Sequence, residues 1–269
     1  MSIKLHSSIS FGSQARGDND DFSDVDILIV REKTTIDDKD THKHYYTKKR
    51  LLSLKKAESL FLVHLKKEGK IIEDKSGWLQ SFLSNVPDFT ADENRIGLVK
   101  KYLSILLSMN PSNNQKLWWS DCIYVFLRDY LIKYNSKYGV YSFSPFMYGK
   151  PIGQRESDLT EVILDLRYQK SKYRSKNEIS ENRLDIKKIK SHLTNVLGID
   201  LDRNRLLDVF LDSSIALEQY FKLRLLEGLY LNKEVEITDK KIIKYMQSPH
   251  SYNWNIKNTK LEDHVRIIS

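Results

Sequence analysis

Two aspartates in an apolar run are the residues of this sequence best suited to chemistry. Asp24 and Asp26 lie in the segment DVDILIV, residues 24–30, whose length and Ile/Val content predict a buried β-strand. Side chains two residues apart on a strand project from the same face, so the two carboxylates would point together. Adjacent carboxylates repel each other unless a cation neutralises them, and Mg²⁺ favours carboxylate ligands combined with substrate phosphates. Asp24 and Asp26 are therefore predicted to bind Mg²⁺, with Mn²⁺ as an alternative.

A glycine–serine pair lies upstream, where a predicted strand turns into a short helix. Gly12 lacks a Cβ, so the backbone there can approach a phosphate closely, and Ser13 adds a hydroxyl. Arg16 adds a cation, although it could instead be a solvated helix residue paired with Asp18 or Asp20. A phosphate cradle that faces a carboxylate pair indicates phosphoryl or nucleotidyl transfer.

These two segments together resemble a known family. GSQARG at residues 12–17 and SDVDI at residues 23–27 are similar to the motif of the polymerase-β-like nucleotidyltransferases, a Gly-Ser turn followed about ten residues later by Asp-x-Asp. The two segments look like those of the minimal nucleotidyltransferases and the aminoglycoside-type enzymes, over about residues 9–30 and more weakly to residue 74. The resemblance implies transfer of a nucleoside monophosphate from an NTP, with ATP as the expected donor, to a hydroxyl of a protein, RNA or small-molecule acceptor. Gly12, Ser13 and Arg16 would then bind the nucleotide.

The family normally carries a third carboxylate on a neighbouring strand, where it completes the metal site and helps to deprotonate the attacking hydroxyl. Here the corresponding region reads DTHKHYY, residues 40–46. If it is extended, Asp40, His42 and His44 share one face. We take His42 as the candidate catalytic residue at this position, with His44 and Asp40 as alternatives; imidazole binds Mn²⁺ but is a poor Mg²⁺ ligand. The competing interpretation is an edge strand with surface histidines, in a catalytically reduced module that binds nucleotide, RNA or a partner protein.

The elements that must position these residues predict an α+β protein. Residues 1–90 are predicted to form a nucleotidyltransferase domain with a small mixed sheet and one long helix over 48–67; the strands are expected at 3–11, 24–30, 42–46 and 70–73. Residues 91–269 are predicted to form an all-α domain, because apolar residues recur at helical spacing over 96–109, 117–134, 159–173, 182–197 and 204–231. The tail from residue 248 shows no readable pattern.

One basic segment of the helical half could contact nucleic acid. Residues 166–176 interleave five cations with two tyrosines, so they could hold RNA phosphates while the rings stack on bases. A solvated basic helix end explains the same residues. His64, in the apolar run FLVHL, is interpreted as a packing residue and not as a ligand.

The amino-acid composition excludes several classes of protein. Hydrophobic residues make up 40% of the 269 and charged residues 30%, which excludes a disordered polymer and, with no long apolar run, a membrane protein. The net charge of +8, from 44 Lys+Arg and 36 Asp+Glu, disfavours a polycationic acceptor. Cys122 is the only cysteine and the N-terminus lacks a secretion pattern, so a cytoplasmic location is expected.

Overall fold

The computed structural model describes residues 7–18, 25–32, 43–150, 159–175, 185–201, 205–212, 218–246 and 260–268. Contacts between Cα atoms divide the chain into two compact units, Met1–Ile96 with Asp129–Thr160 and Gly97–Arg128 with Glu161–Ser269. The predicted limit of the nucleotidyltransferase domain at residue 90 stays a prediction. The contact units differ from it in that residues 129–160 belong to the first unit.

A four-stranded mixed sheet forms the centre of the first unit. Its strands have the order β3-β2-β1-β4 and are β1 (Ser7–Phe11), β2 (Asp26–Arg31), β3 (Lys43–Thr47) and β4 (Lys70–Glu73). β1 is antiparallel to β2 and to β4, whereas β3 is parallel to β2. The predicted mixed sheet is thus confirmed within the described residues, which include Asp26 but not Asp24.

The register of this sheet brings the chemically interesting segments to one end. Phe11, the last residue of β1, is paired with Asp26, the first residue of β2. Because β3 runs parallel to β2, its first residue, Lys43, is paired with Ile27 at the same end. The turn after β1 and the starts of β2 and β3 therefore lie at the same end of the sheet.

The predicted helix over residues 48–67 is wrong as one element. The structure has α1 (Gly12–Arg16), α2 (Lys48–Lys56), α3 (Leu60–Glu68) and α4 (Trp78–Ser84), of which α4 was not predicted. Glu58, between α2 and α3, has a φ of +50°, which a continuous helix does not allow. A 20-residue helix would be about 30 Å long, whereas a five-residue strand spans about 17 Å. Two short helices can both pack on the sheet, and Leu51 of α2 and Leu62 of α3 are fully buried in one core cluster with Ile9.

The remaining helices are mostly as predicted. α5 (Glu93–Ser108) and α6 (Lys116–Ser136) contribute residues to both units, and α7 (Pro145–Tyr148) belongs to the first. The second unit adds α8 (Thr160–Ser175), α9 (Ile186–Leu197), α10 (Leu206–Leu211), α11 (Gln219–Leu231) and α12 (Lys240–Met246). The single helix predicted over 204–231 is wrong, because the backbone is extended at Asp212 after α10 and at Glu218 before α11.

A two-stranded antiparallel sheet follows α11, and the sequence pattern did not indicate it. β5 (Val235–Ile237) pairs with β6 (Val265–Ile267). Three-residue strands are too short to show an alternation of apolar and polar residues that could be read. Among the described residues, no helix combines the length and the apolar character needed to cross a membrane.

Candidate active site

Gly12 and Asp26 approach each other more closely than any other residue at position 12 would permit. Gly12 has a φ of +76°, and a Cβ built on it would lie 2.7 Å from Oδ2 of Asp26. Such a distance is well inside van der Waals contact, so only glycine lets the backbone lie against this carboxylate. The Asp26 side chain is 33% exposed. The turn after β1 thus presents its backbone beside a carboxylate that solvent can reach.

His44 of β3 lies on the other side of the same carboxylate. Its Nε2 is 3.1 Å from Oδ1 of Asp26, and its ring centroid is 5.6 Å from that of Phe11. The pairing of Leu28 with His44 explains the contact, since Asp26 precedes Leu28 by two residues and shares its face. The structure therefore brings three of the predicted residues together: Gly12, Asp26 and His44. The other predicted ligand and base positions, Asp24, His42 and Asp40, lie outside the described residues.

Arg16 is held by two carboxylates of the first unit. Its Nε lies 3.0 Å from Oδ1 of Asp18, its Nη1 lies 2.8 Å from Oε2 of Glu68, and its side chain is 15% exposed. The pairing with Asp18 is the structural alternative already considered for this residue. Phosphate binding by Arg16 stays a prediction, and it would require the guanidinium to leave or share these partners. Ser13 is half-buried, and its carbonyl accepts hydrogen bonds from the N–H groups of Gly17 and Asp18 that close α1.

Glu68 connects this arginine to a distant part of the chain. Its Oε1 accepts a hydrogen bond from the backbone N–H of Phe143 at 3.0 Å, and its Oε2 lies 3.3 Å from Nε2 of His64. Burial alone would raise the pKa of Glu68, but hydrogen bonds from His64, Phe143 and the guanidinium outweigh it and hold the pKa below its ordinary value. The hydroxyl of the next residue, Ser144, donates a hydrogen bond to Oδ2 of Asp18 at 2.6 Å.

Sequence reasoning missed these supporting residues. His64 is buried and its ring stacks on that of Phe143 with centroids 4.1 Å apart, which confirms its interpretation as a packing residue. Glu68 follows His64 by one helical turn, a spacing at which side chains meet, so that pair was readable in principle. Phe143 and Ser144 are separated from their partners by 75 and 126 residues, and no local pattern indicates such contacts.

The donor atoms beside Gly12 suit a divalent cation only in part. Asp26 supplies carboxylate oxygens, which Mg²⁺ and Mn²⁺ accept, and His44 supplies an imidazole nitrogen, which favours Mn²⁺. Within the described ranges, no group of three His, Cys, Asp or Glu side chains could hold a metal ion. The chemistry of Asp26 fits the cation, and the second predicted carboxylate, Asp24, lies outside these ranges.

The basic segment of residues 166–176 is largely α8, and part of it faces into the second unit. The Tyr173 hydroxyl donates a hydrogen bond to Glu227, and Nε of Arg174 lies 2.9 Å from Oδ1 of Asp121. These two of the seven candidates for RNA contact are thus used within the protein. Binding of RNA by the rest of the segment stays a prediction.

Comparison with known proteins gives one match. Residues 6–78 match the model of the nucleotidyltransferase domain family, and this range contains Gly12, Ser13, Asp26 and His44. No curated protein and no solved structure matches the chain significantly. The matched domain, its mixed sheet and the contact between Gly12 and Asp26 agree with the family suggested by the motif. Residues 6–78 are therefore a nucleotidyltransferase domain of the polymerase-β-like superfamily, whose general reaction is the transfer of a nucleoside monophosphate.

Proposed function

We propose that this domain transfers a nucleoside monophosphate from an NTP, with ATP as the expected donor, to an acceptor hydroxyl. The acceptor oxygen would form a bond to the α-phosphorus while the bond between that phosphorus and the bridging oxygen breaks, and pyrophosphate would leave with the electron pair. The observation that carries the proposal is the close approach of the Gly12 backbone to Asp26 within the matched domain. A Cβ built on Gly12 would lie 2.7 Å from Oδ2 of Asp26. Candidate acceptors are a protein side chain, an RNA 3′ end and a small polyhydroxylated molecule.

The nucleotide would lie along the turn that begins at Gly12. Without a Cβ at this position, triphosphate oxygens can approach the backbone N–H groups, and the Ser13 hydroxyl can donate to them. Asp24 and Asp26 would hold a divalent cation, which supplies positive charge that neutralises the triphosphate. Arg16 would either bind phosphate directly or act through the position of α1, since Asp18 and Glu68 hold its guanidinium.

The proton of the acceptor hydroxyl needs a base. We propose His42, with His44 and Asp40 as alternatives, and the 3.1 Å contact between His44 and Asp26 supports a base in this part of the sequence. A neutral imidazole can accept a proton from a hydroxyl near neutral pH, which is the role required of a general base.

The test is incubation with ATP labelled at the α-phosphate, with Mg²⁺ or Mn²⁺, followed by detection of label on protein, RNA or small molecules. We expect label transfer that EDTA abolishes and that Asp26→Asn reduces at least about a hundredfold, since the variant removes a carboxylate that would hold the divalent cation beside the reacting phosphates. Asp88→Asn is the matched control, because this carboxylate of the same unit contacts only Lys66 and Lys67 among the described residues. Transfer that survives Asp26→Asn would refute the site.

The base is tested separately. His42→Ala should lower the transfer rate while leaving Mn²⁺ binding, followed by electron paramagnetic resonance, within a few fold. A loss of rate in His44→Ala and not in His42→Ala would move the role of base to His44. A double variant with the wild-type rate would exclude both rings and leave Asp40 as the candidate.

A second function is favoured by the neighbour of Asp26 on β3, which is an imidazole and not a carboxylate. A module with reduced catalytic power would bind NTP without transferring it. Equilibrium binding of NTP that depends on Gly12 and Asp26, combined with no label transfer to any acceptor class, would identify this alternative.

A further inference from the structure

One stretch of the first unit is strongly basic. Residues 43–70 contain nine Lys/Arg and two Asp/Glu, a net charge of +7, whereas the entire chain carries +8. This stretch comprises β3, α2 and α3. Such asymmetry along a sequence is typical of a surface that meets a polyanion.

The lysines of α2 form two matched rows. Lys48 and Lys55 are seven residues apart, as are Lys49 and Lys56, so each pair lies on one side of the helix, about 10.5 Å apart along its axis. Cations spaced along one side of a helix can contact different phosphates of the same nucleic-acid strand. We call these four lysines the α2 basic face.

Among the residues that the structure describes, no acidic neighbour neutralises the α2 basic face. None of its four lysines forms an ion pair with a carboxylate in the part of the chain that the structure describes. By contrast, Lys66 and Lys67 of α3 both bind Asp88, at 3.0 Å and 2.7 Å. Lys49 and Lys56 are exposed, so their ammonium groups are available to a ligand.

An aromatic pair lies directly beside this face. Trp78 and Phe82 of α4 stack with centroids 5.0 Å apart and an interplanar angle of 13°. Nζ of Lys48 lies 4.7 Å from the Trp78 centroid, and Nζ of Lys55 lies 5.9 Å from the Phe82 centroid. These contacts orient the lysine stems along the surface and limit the side-chain freedom that phosphate binding would otherwise remove.

We infer that the α2 basic face binds the phosphate backbone of a nucleic acid. An anionic membrane is the less suitable partner, because insertion needs an apolar helix face, and Leu52 is the large apolar residue that α2 exposes, at 53%. Backbone binding needs only spaced cations and carries no base preference. The inference does not depend on the proposed transfer reaction, so Asp26→Asn should leave this binding unchanged.

The experiment measures binding of a fluorescein-labelled 20-nucleotide single-stranded RNA of mixed sequence by anisotropy, from 50 to 200 mM salt. Four phosphate contacts predict a slope of log K against log salt of about −2.8, or about a 50-fold loss of affinity over this range. Substituting Gln at Lys48, Lys49, Lys55 and Lys56 should weaken binding at least about tenfold and flatten the slope. The variant Lys49→Gln with Lys56→Gln, confined to exposed positions, should produce about half of the change in slope.

The matched control changes four exposed lysines of the second unit to Gln: Lys187, Lys188, Lys240 and Lys241. It removes the same charge, and we expect less than about a twofold loss of affinity. Equal losses in the two fourfold variants would overturn the inference, because they would show a response to net charge alone. Binding to phosphatidylserine vesicles in place of RNA would also overturn it.

Discussion

At the scale of single residues, position 12 tolerates only glycine, because any side chain there would clash with Asp26. Gly12→Ala would force a Cβ to within 2.7 Å of Oδ2 of Asp26 at a φ of +76°. We expect a loss of stability of about 1–2 kcal/mol from the left-handed backbone, together with a further displacement of the carboxylate and loss of transfer. Urea unfolding and the label-transfer assay measure the two effects.

Gly17→Ala is the control for this substitution. Gly17 has a φ of +83°, and a Cβ there would meet nothing within 4 Å. It should therefore lose similar stability but retain activity. If Gly17→Ala abolished transfer as completely as Gly12→Ala, backbone strain and not the contact with Asp26 would be the cause.

Glu68 is the second residue whose chemistry can be tested alone. Its side chain is 13% exposed and binds Arg16 and the Phe143 N–H. Because hydrogen bonds hold its pKa below the ordinary value despite burial, ionised Glu68 stabilises the fold. This contribution is complete above the unfolded-state pKa, about 4.3, and is lost as the pH falls through the lower folded-state pKa.

Glu68→Gln should thus lower the free energy of unfolding at pH 7 by about 1.5–3 kcal/mol, the usual value for hydrogen bonds to a charged group. The difference from the wild type should shrink as the pH falls below about 4. Asp88→Asn, which removes a more exposed carboxylate, should change stability less. A difference for Glu68→Gln that is constant with pH would contradict the role of its charge.

At the scale of elements, α6, α8 and α11 are joined by a buried ionic cluster. Arg224 of α11 is 2% exposed, and its Nη2 and Nη1 lie 2.7 Å from Asp121 and 2.8 Å from Glu227. Arg174 of α8 also contacts Asp121, which is fully buried. Burial raises the pKa of Glu227 although Arg224 opposes this effect. A charged side chain that is buried this deeply is stable only when an opposite charge compensates it.

Arg224→Leu should therefore destabilise the protein by about 3–5 kcal/mol, since two buried carboxylates would lose their main counter-ion. Thermal and urea unfolding measure the loss. Lys222→Leu, on the same helix, is the control; its pair with Glu262 is 16% and 32% exposed, and a clearly smaller loss is expected. Equal losses would show that α11 responds to any substitution and not to the buried charge.

At the scale of the whole molecule, the only cysteine reports on the second unit. Cys122 is fully buried, and burial raises the pKa of its thiol to about 12, although Arg224 acts in the opposite direction. The thiolate is the reactive form. We expect the native protein to resist a thiol reagent at pH 8 and the urea-unfolded protein to react fully. The rate of native labelling should rise in Arg224→Leu, because the unit opens more often; rapid labelling of the native wild type would contradict the burial.

The sequence by itself determined many of the local conformations and the domain family. Ile and Val content, together with the Gly-Ser and Asp-x-Asp spacing, predicted the turn, β2 and the mixed sheet, because backbone sterics and side-chain preferences act over a few residues. The same local rules located most helices. They could not locate the break at Glu58, where the length of the sheet, and not the helical pattern, limits α2 and α3.

Only the tertiary structure decided which side chains become partners. Arg16, predicted as a phosphate ligand, is held by Glu68, 52 residues away, and His44 lies against Asp26 because β3 pairs in parallel with β2. Any of 36 acidic residues could have paired with this arginine on charge alone. Glu68 becomes the partner of Arg16 because α3 ends beside α1. The position of α3 depends on how the helices pack on the sheet, and no short segment of the sequence encodes that packing.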